Sequence, residues 1–140
     1  MSRQDQEGGC LCGAVRFKAG GPPSHVNFCH CRMCQKASGA PMMAWATYER
    51  SKVAFSGAPK LRPSSATVER GFCESCGSTL IWQRPNATTI DLAVAAFDDP
   101  DELAPSEHIW TESRARWLTL TDHLPRYRQR RGSVEDKEAS

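Results

Sequence analysis

Seven cysteines in three short groups constrain this chain more than any other feature of its sequence. The groups are Cys10/Cys12, Cys29/Cys31/Cys34 and Cys73/Cys76. An odd number of thiols cannot pair completely within one chain, and the first seven residues are polar, without the apolar stretch of a secretory signal. We therefore expect a cytoplasmic protein in which these closely spaced thiols bind metal rather than form disulfides.

The length of the chain, 140 residues, fits one domain with a modest core. Its apolar share of 39% and charged share of 24% are typical of a globular chain and not of a disordered one. We expect the domain to cover residues 8–127, with flexible segments at 1–7 and at 128–140. The longest apolar run, 92–97, is far shorter than the roughly 20 residues of a membrane-spanning helix, so no membrane span is expected.

The charge of the chain gives no support for nucleic-acid binding. The formal net charge is +2, and seven thiolates with two zinc ions would bring it to −1, because they add seven negative and four positive charges. The arginines near the C-terminal end are Arg126, Arg128, Arg130 and Arg131. No aromatic groove accompanies them, so we interpret them as a solvated end of the chain.

Hydrophobic alternation with period two predicts a mainly β fold. The alternating sets are Val15/Phe17, Val26/Phe28, Met43/Trp45, Val53/Phe55, Leu80/Trp82 and Ile90/Leu92/Val94. Segments rich in glycine and proline separate several of these sets, as at 20–23 and 56–59. Residues 32–37 alone indicate a short helical turn.

The glycines that follow Cys12 and Cys76 predict which cysteines share a metal. Glycine tolerates positive φ and lets backbone N–H groups turn toward a thiolate, whereas no glycine follows Cys34. Pairing the two glycine-ended groups gives a closed structural site with four ligands, which are Cys10, Cys12, Cys73 and Cys76. Spacing alone also allows Cys31 and Cys34 to join Cys73 and Cys76.

The cysteines that remain are Cys29, Cys31 and Cys34. Three protein ligands leave one of the four positions of zinc open for water or substrate, which is the arrangement of catalytic zinc sites. We therefore take these three residues as the catalytic candidates. The alternative is a second closed site whose fourth ligand is His25, His30 or His108. His30 is poorly placed for this, because adjacent residues of an extended segment point in opposite directions.

Three segments of the chain resemble the glutathione-dependent formaldehyde-activating enzymes, within the superfamily that also contains centromere protein V. The segments are GGCLCGAVRF at 8–17, CHCRMCQKASG at 29–39 and FCESCGSTL at 72–80, in the order that the family has them. Residues 108–110, Trp117 and 122–125 are similar to the closing segment of that family. The resemblance runs from Gly8 to Tyr127, which is nearly the whole chain.

The resemblance implies a β-tent fold of small antiparallel sheets. It implies two zinc ions, a structural one on the four-cysteine group and a catalytic one on the three-cysteine group. It also implies a carbon–sulfur lyase that adds glutathione to formaldehyde and yields S-hydroxymethylglutathione. A different function is that of a non-catalytic zinc module that binds a protein partner through its surface. A reachable open position on the three-cysteine metal separates the two functions, and the sequence leaves the oligomeric state open.

Several other conspicuous residues are expected to have structural roles. The tryptophans, which we expect to be buried in the small core, are Trp45, Trp82, Trp110 and Trp117. Arg32 and Lys36 lie beside the second cysteine group, where cations can attract the carboxylates of glutathione. We interpret both as ordinary solvated side chains.

Overall fold

The computed structural model describes residues 5–136, and these residues confirm the predicted mainly β class. The strands are β1 (Gln6–Gly9), β2 (Arg16–Ala19), β3 (His25–Cys29), β4 (Met43–Glu49), β5 (Val53–Ser56), β6 (Lys60–Pro63), β7 (Glu69–Phe72), β8 (Thr79–Gln83), β9 (Thr89–Ala93) and β10 (His108–Ile109). The described residues contain one α-helix, α1 (Arg32–Ser38), where a helical turn was predicted. Within the described residues, no helix has both the length and the apolar character needed to cross a membrane.

Within the described range, the chain divides into two compact units, 5–25 with 46–104 and 26–45 with 105–136. The first unit contains a three-stranded antiparallel sheet, β1–β2–β5, in which Gly8 pairs with Phe17. It also contains β4–β9–β8–β7–β6, where β9 to β6 are successive antiparallel neighbours. The core of this unit includes an edge-to-face contact between Phe17 and Phe97, with ring centroids 4.9 Å apart.

The second unit contains α1 and the neighbouring strands β10, β3 and the start of β4. Here β10 pairs in parallel with Phe28 and Cys29 at the end of β3. The helix begins after Cys31 and ends at Gly39, which has the left-handed conformation that commonly stops a helix. Strand β3 therefore delivers Cys29 directly to the start of α1.

The predicted flexibility at the two chain ends stays a prediction. In the structure, Gln6 pairs with Ala19, and the backbone N–H of Arg128 donates a hydrogen bond to the carbonyl of Val134 at 2.8 Å. The predicted flexible segments also include residues 1–4 and 137–140, which lie outside the described residues.

The expectation that the four tryptophans are buried holds fully for one of them, since Trp82 and Trp110 are half-buried and Trp117 is exposed. Trp45 is 3% exposed, but Trp117 is 75% exposed. Trp117 lies between the short 3-10 turn Thr111–Ser113 and Leu120, in a segment without strand or helix, so no neighbouring strand covers its ring.

Gly8 is expected to be essential for the packing of the first sheet. A Cβ atom at this position would lie 2.5 Å from the carbonyl oxygen of Ala96 and 2.6 Å from the ring of Phe17. We predict that Gly8→Ala lowers the free energy of unfolding by about 2 kcal/mol, because overpacking forces neighbouring atoms apart. Urea denaturation measures the change. Gly20→Ala is the control, since its nearest atom, the carbonyl oxygen of Lys52, would be 3.5 Å away; equal losses in both variants would contradict the prediction.

Candidate metal centres

Four cysteines of the first unit come together in the turns that connect β1 to β2 and β7 to β8. The sulfur atoms of Cys10, Cys12, Cys73 and Cys76 all lie within 4.8 Å of one another. The sulfur of Cys12 is 3.6 Å from that of Cys10 and 3.8 Å from that of Cys73. A tetrahedral zinc ion with zinc–sulfur distances of about 2.3 Å places its sulfur ligands about 3.8 Å apart. The spacing of these atoms therefore suits zinc.

Glycine shapes both turns of this cluster in the predicted way. Gly13 and Gly77 have φ angles of 83° and 81°. Their N–H groups donate hydrogen bonds to the carbonyls of Cys10 and Cys73 at 3.2 and 2.7 Å, which closes each turn. The turned backbone also lets the N–H of Val15 donate to the Cys10 sulfur at 3.2 Å, and this hydrogen bond lowers the pKa of the Cys10 thiol.

A separate cluster in the second unit consists of Cys29, Cys31 and Cys34, whose sulfur atoms also lie within 4.8 Å of one another. Cys29 ends β3, and Cys31 caps the N-terminus of α1, where its sulfur accepts a hydrogen bond from the N–H of Cys34 at 3.3 Å. Cys29 and Cys34 are buried and Cys31 is partly exposed. The first turn of α1 thus places the sulfur of Cys34 on the same side as the sulfurs of Cys29 and Cys31.

In the part of the chain that the structure describes, no histidine or carboxylate joins either sulfur cluster. His30 Nε2 instead lies 2.8 Å from His108 Nδ1, and His108 Nε2 lies 2.9 Å from a carboxylate oxygen of Asp122. Burial lowers the pKa of His30 to about 4, so its imidazole is neutral near pH 7. His25 is engaged elsewhere, with its Nε2 3.0 Å from the hydroxyl of Thr47. None of these histidines supplies the fourth ligand that the alternative closed site requires.

The donor atoms of both clusters fit a divalent cation. The N–H of Ala14 favours the Cys12 thiolate, but the neighbouring Cys10 sulfur and burial outweigh it and raise the pKa of Cys12 to about 11. Hydrogen bonds with the other two sulfurs of its cluster, together with burial, raise the pKa of Cys29. A cation between the sulfurs removes this mutual repulsion of thiolates. All seven cysteines are free of disulfides, and an all-sulfur set at tetrahedral spacing is one that zinc prefers.

A polar cluster that the sequence analysis missed lies in the first unit. The Thr47 hydroxyl donates a hydrogen bond to an Asp91 carboxylate oxygen at 2.6 Å and accepts one from His25 Nε2. Burial raises the pKa of Asp91 to about 6, although the Thr47 hydrogen bond acts in the opposite direction. In the sequence, this cluster is indicated by polar residues inside alternating apolar strands. That pattern does not say which polar residues meet, because their contact depends on β4 and β9 lying side by side.

Asp91 is expected to make stability depend on pH. A carboxyl whose pKa is higher in the folded state than its ordinary value of 3.8 stabilises the fold when protonated, and this contribution is lost as the pH rises through 6. Relative to Asp91→Asn, the free energy of unfolding of the wild type should fall by about 1 kcal/mol between pH 5 and pH 8. Urea denaturation of both proteins at the two pH values measures this difference, and identical pH dependence would refute the prediction.

Comparisons with known proteins show the family of the chain. Residues 5–113 match the model of the glutathione-dependent formaldehyde-activating enzyme family. A crystal structure of a Rhodobacter sphaeroides protein resembles this one with a TM-score of 0.55 and 25% identity, covering 66% of this chain and 87% of that chain.

Two curated proteins are similar in sequence. A Halomonas elongata protein, provisionally named as a glutathione-dependent formaldehyde-activating enzyme, is 30% identical over 125 residues, a match that covers 81% of this chain and 80% of that protein. An uncharacterized lyase of Schizosaccharomyces pombe is 33% identical over 82 residues, and this match covers 59% of this chain and 60% of the length of the lyase. Because the family model matches well over half of its residues, the chain belongs to the glutathione-dependent formaldehyde-activating enzyme family.

Proposed function

We propose that this protein is a zinc-dependent carbon–sulfur lyase that forms or breaks the adduct between a thiol, glutathione, and a small aldehyde such as formaldehyde. The observation that carries the proposal is the cluster of three sulfurs without a fourth donor from the described residues. Membership of the family and the names of the two relatives support the reaction class. The proposal includes a cytoplasmic location, where cysteines stay reduced.

The reaction joins the two reactants without loss of atoms. The thiol sulfur forms a bond to the aldehyde carbon, the π electrons of the C=O bond move to the oxygen, and the proton of the thiol ends on that oxygen. The product is a hydroxymethyl thioether, and the reverse reaction breaks the same carbon–sulfur bond. Bringing two small reactants together in one orientation supplies much of the acceleration that such an addition needs.

The two cysteine clusters have different roles in this proposal. Cys29, Cys31 and Cys34 hold the catalytic zinc, while Cys10, Cys12, Cys73 and Cys76 hold the structural one. Zinc bound to the three-sulfur cluster would lower the pKa of an incoming thiol and so provide a thiolate near neutral pH. The helix cap at Cys31 fixes the first turn of α1, which keeps Cys34 on the same side as the other two sulfurs.

The exposure of two apolar side chains favours a second candidate, a non-catalytic zinc module that binds a protein partner. In the second unit, Trp117 is 75% exposed and Met33, within the cysteine cluster segment, is 52% exposed. Large apolar side chains that are exposed to solvent can contribute to a partner surface. This candidate requires no substrate at the metal.

An exchange measurement separates the two candidates. Formaldehyde and glutathione combine unaided in water, so the test compares the rate of their exchange by proton NMR with and without the zinc-loaded protein. We expect the protein to accelerate exchange, and we expect glutathione to change the visible spectrum of a cobalt-substituted sample. The matched control is Cys34→Ser, which should lose both effects. An unchanged exchange rate together with an unchanged cobalt spectrum would reject the lyase and favour the binding module.

A further inference from the structure

The segment between Cys29 and Cys31 is held in place by two elements of the second unit, β10 and α1. The residue between these cysteines is His30, which is completely buried. Its backbone N–H donates a hydrogen bond to the carbonyl of Ile109 at 3.1 Å, and its ring Nε2 lies 2.8 Å from His108 Nδ1. Strand β10 therefore fixes His30 through its backbone N–H and through its side chain.

The remaining backbone group of His30, its carbonyl, is held by Gln35 on α1. Gln35 is 8% exposed, and its side-chain Nε2 donates a hydrogen bond to the carbonyl of His30 at 2.6 Å. Its backbone N–H donates to the carbonyl of Cys31 at 3.0 Å. One residue thus holds two successive carbonyls of the segment that carries the first two sulfurs of the cluster. It also directly follows Cys34, which carries the third.

The other contacts of Gln35 fix its amide in one orientation. The side-chain Nε2 also donates to the carbonyl of Ser113 at 3.0 Å, and Oε1 accepts a hydrogen bond from the guanidinium of Arg32. The reverse orientation would place the amide oxygen against two carbonyl oxygens, which repel it. Asparagine is one methylene shorter, and an ionised glutamate donates no hydrogen bond. The position therefore requires the length and both donors of glutamine.

The backbone that presents the Ser113 carbonyl to Gln35 is strained. Ser113 ends the 3-10 turn Thr111–Ser113, and the residue before that turn, Trp110, has a φ angle of 58°. Among the described residues, every other positive φ belongs to a glycine. A tryptophan in the left-handed region is costly and persists only where its surroundings enforce it, which is characteristic of functional sites. Trp110 directly follows Ile109, which holds the N–H of His30.

We propose that Gln35 is a positioning residue that sets the spacing of the three sulfurs for the metal and for the incoming thiol. This inference rests on the proposed function of the three-cysteine cluster. Hydrogen bonds around the ligands of a metal orient those ligands, and their loss typically lowers metal affinity or activity about 10- to 100-fold. When the amide of Gln35 is removed, the carbonyl of His30 loses its donor, and Cys31 is free to move relative to Cys34.

Gln35→Met tests the inference, because it keeps the length of the side chain and removes both donors. The matched control is Gln83→Met in the first unit. Gln83 is 7% exposed and its Nε2 donates to a carboxylate oxygen of Glu69 at 2.6 Å, so each variant loses a buried amide. In a chelator titration of the zinc-loaded proteins, Gln35→Met should lose its first ion at a chelator concentration about tenfold lower than the wild type. Gln83→Met should lose it at the wild-type concentration.

Cobalt substitution reports on the geometry of the sulfurs without a rate. Subtraction of the spectrum of cobalt-saturated Cys34→Ser, which keeps the four-cysteine site, leaves the bands of the three-cysteine site. These bands should change in position or intensity in Gln35→Met and stay unchanged in Gln83→Met. At saturating zinc, the acceleration of thiol–aldehyde exchange should fall about tenfold in Gln35→Met alone.

The outcomes separate a positioning role from a role in the fold. If Gln35→Met and Gln83→Met have the same cobalt bands and the same first-ion affinity, the inference is overturned and the lyase proposal stands. Gln35→Leu, which places a good helix former in α1, serves if Gln35→Met does not fold. If neither variant folds with zinc, Gln35 serves the fold and the inference is overturned. If the wild type accelerates no exchange, the lyase proposal falls, and the affinity and cobalt bands alone decide the inference.

Discussion

Cys73→Ser should leave little folded protein under conditions in which the wild type is fully folded. Cys73 is 1% exposed, and its sulfur belongs to the cluster that connects the β1–β2 turn to the β7–β8 turn. When a metal binds only the folded chain, its binding free energy is also folding free energy. We expect the free energy of unfolding of the zinc-saturated protein to fall by a value on the order of 4 kcal/mol. Thermal unfolding followed by circular dichroism measures this change.

The matched variant for this measurement is Cys34→Ser. It removes a sulfur from the three-cysteine cluster, which in our proposal serves the reaction and not the fold. Its unfolding temperature should therefore fall much less than that of Cys73→Ser. Equal unfolding temperatures, or a less stable Cys34→Ser, would reverse the structural and catalytic assignments of the two clusters.

Chelation should remove the two metal ions in separate steps. A site with three protein ligands and one open position gives a chelator access to the ion, whereas four cysteine ligands enclose it. Titration with a chelator, followed by metal analysis after desalting, should show two ions per chain, then one, then none. The fold should survive the first loss and fail with the second.

Two features of the same titration check the assignment of the steps. Cys34→Ser should start with one ion per chain and show only the step that accompanies unfolding. The wild type should lose its acceleration of thiol–aldehyde exchange in the first step. A single step in which both ions and the fold are lost together would contradict two unequal sites.

The strands that the sequence predicted are those that carry apolar residues at every second position. Strands β1 and β7 gave no such signal, because their sequences, QEGG and ERGF, contain glycine and charge where alternation would need apolar residues. Their place in the fold depends on partners distant in sequence, as in the pairing of Gly8 with Phe17. Val94 extends the predicted alternation too far, since it begins a 3-10 turn after β9.

The sequence was sufficient to predict how the cysteines group, but it was not sufficient to predict the burial of the polar residues. Gly13 and Gly77 both have positive φ, a conformation that glycine adopts far more readily than other residues. A glycine after each cysteine group therefore indicates the two similar turns. Asn27, by contrast, occupies a position between Val26 and Phe28 that alternation would assign to solvent. Asn27 is only 5% exposed because both faces of β3 are buried. The alternation of residues along the strand does not predict this burial.

The parallel pairing of β10 with β3 sets an order of events during synthesis on the ribosome. The strand that ends at Cys29 obtains this neighbour only when His108 and Ile109 have been translated. The last cysteine of the four-sulfur cluster, Cys76, leaves the ribosome well before them. If both clusters bind metal, as we propose, a growing chain can close its first hairpins around one ion while the neighbourhood of the three-sulfur cluster is still incomplete. Vectorial translation would then separate the two loading events.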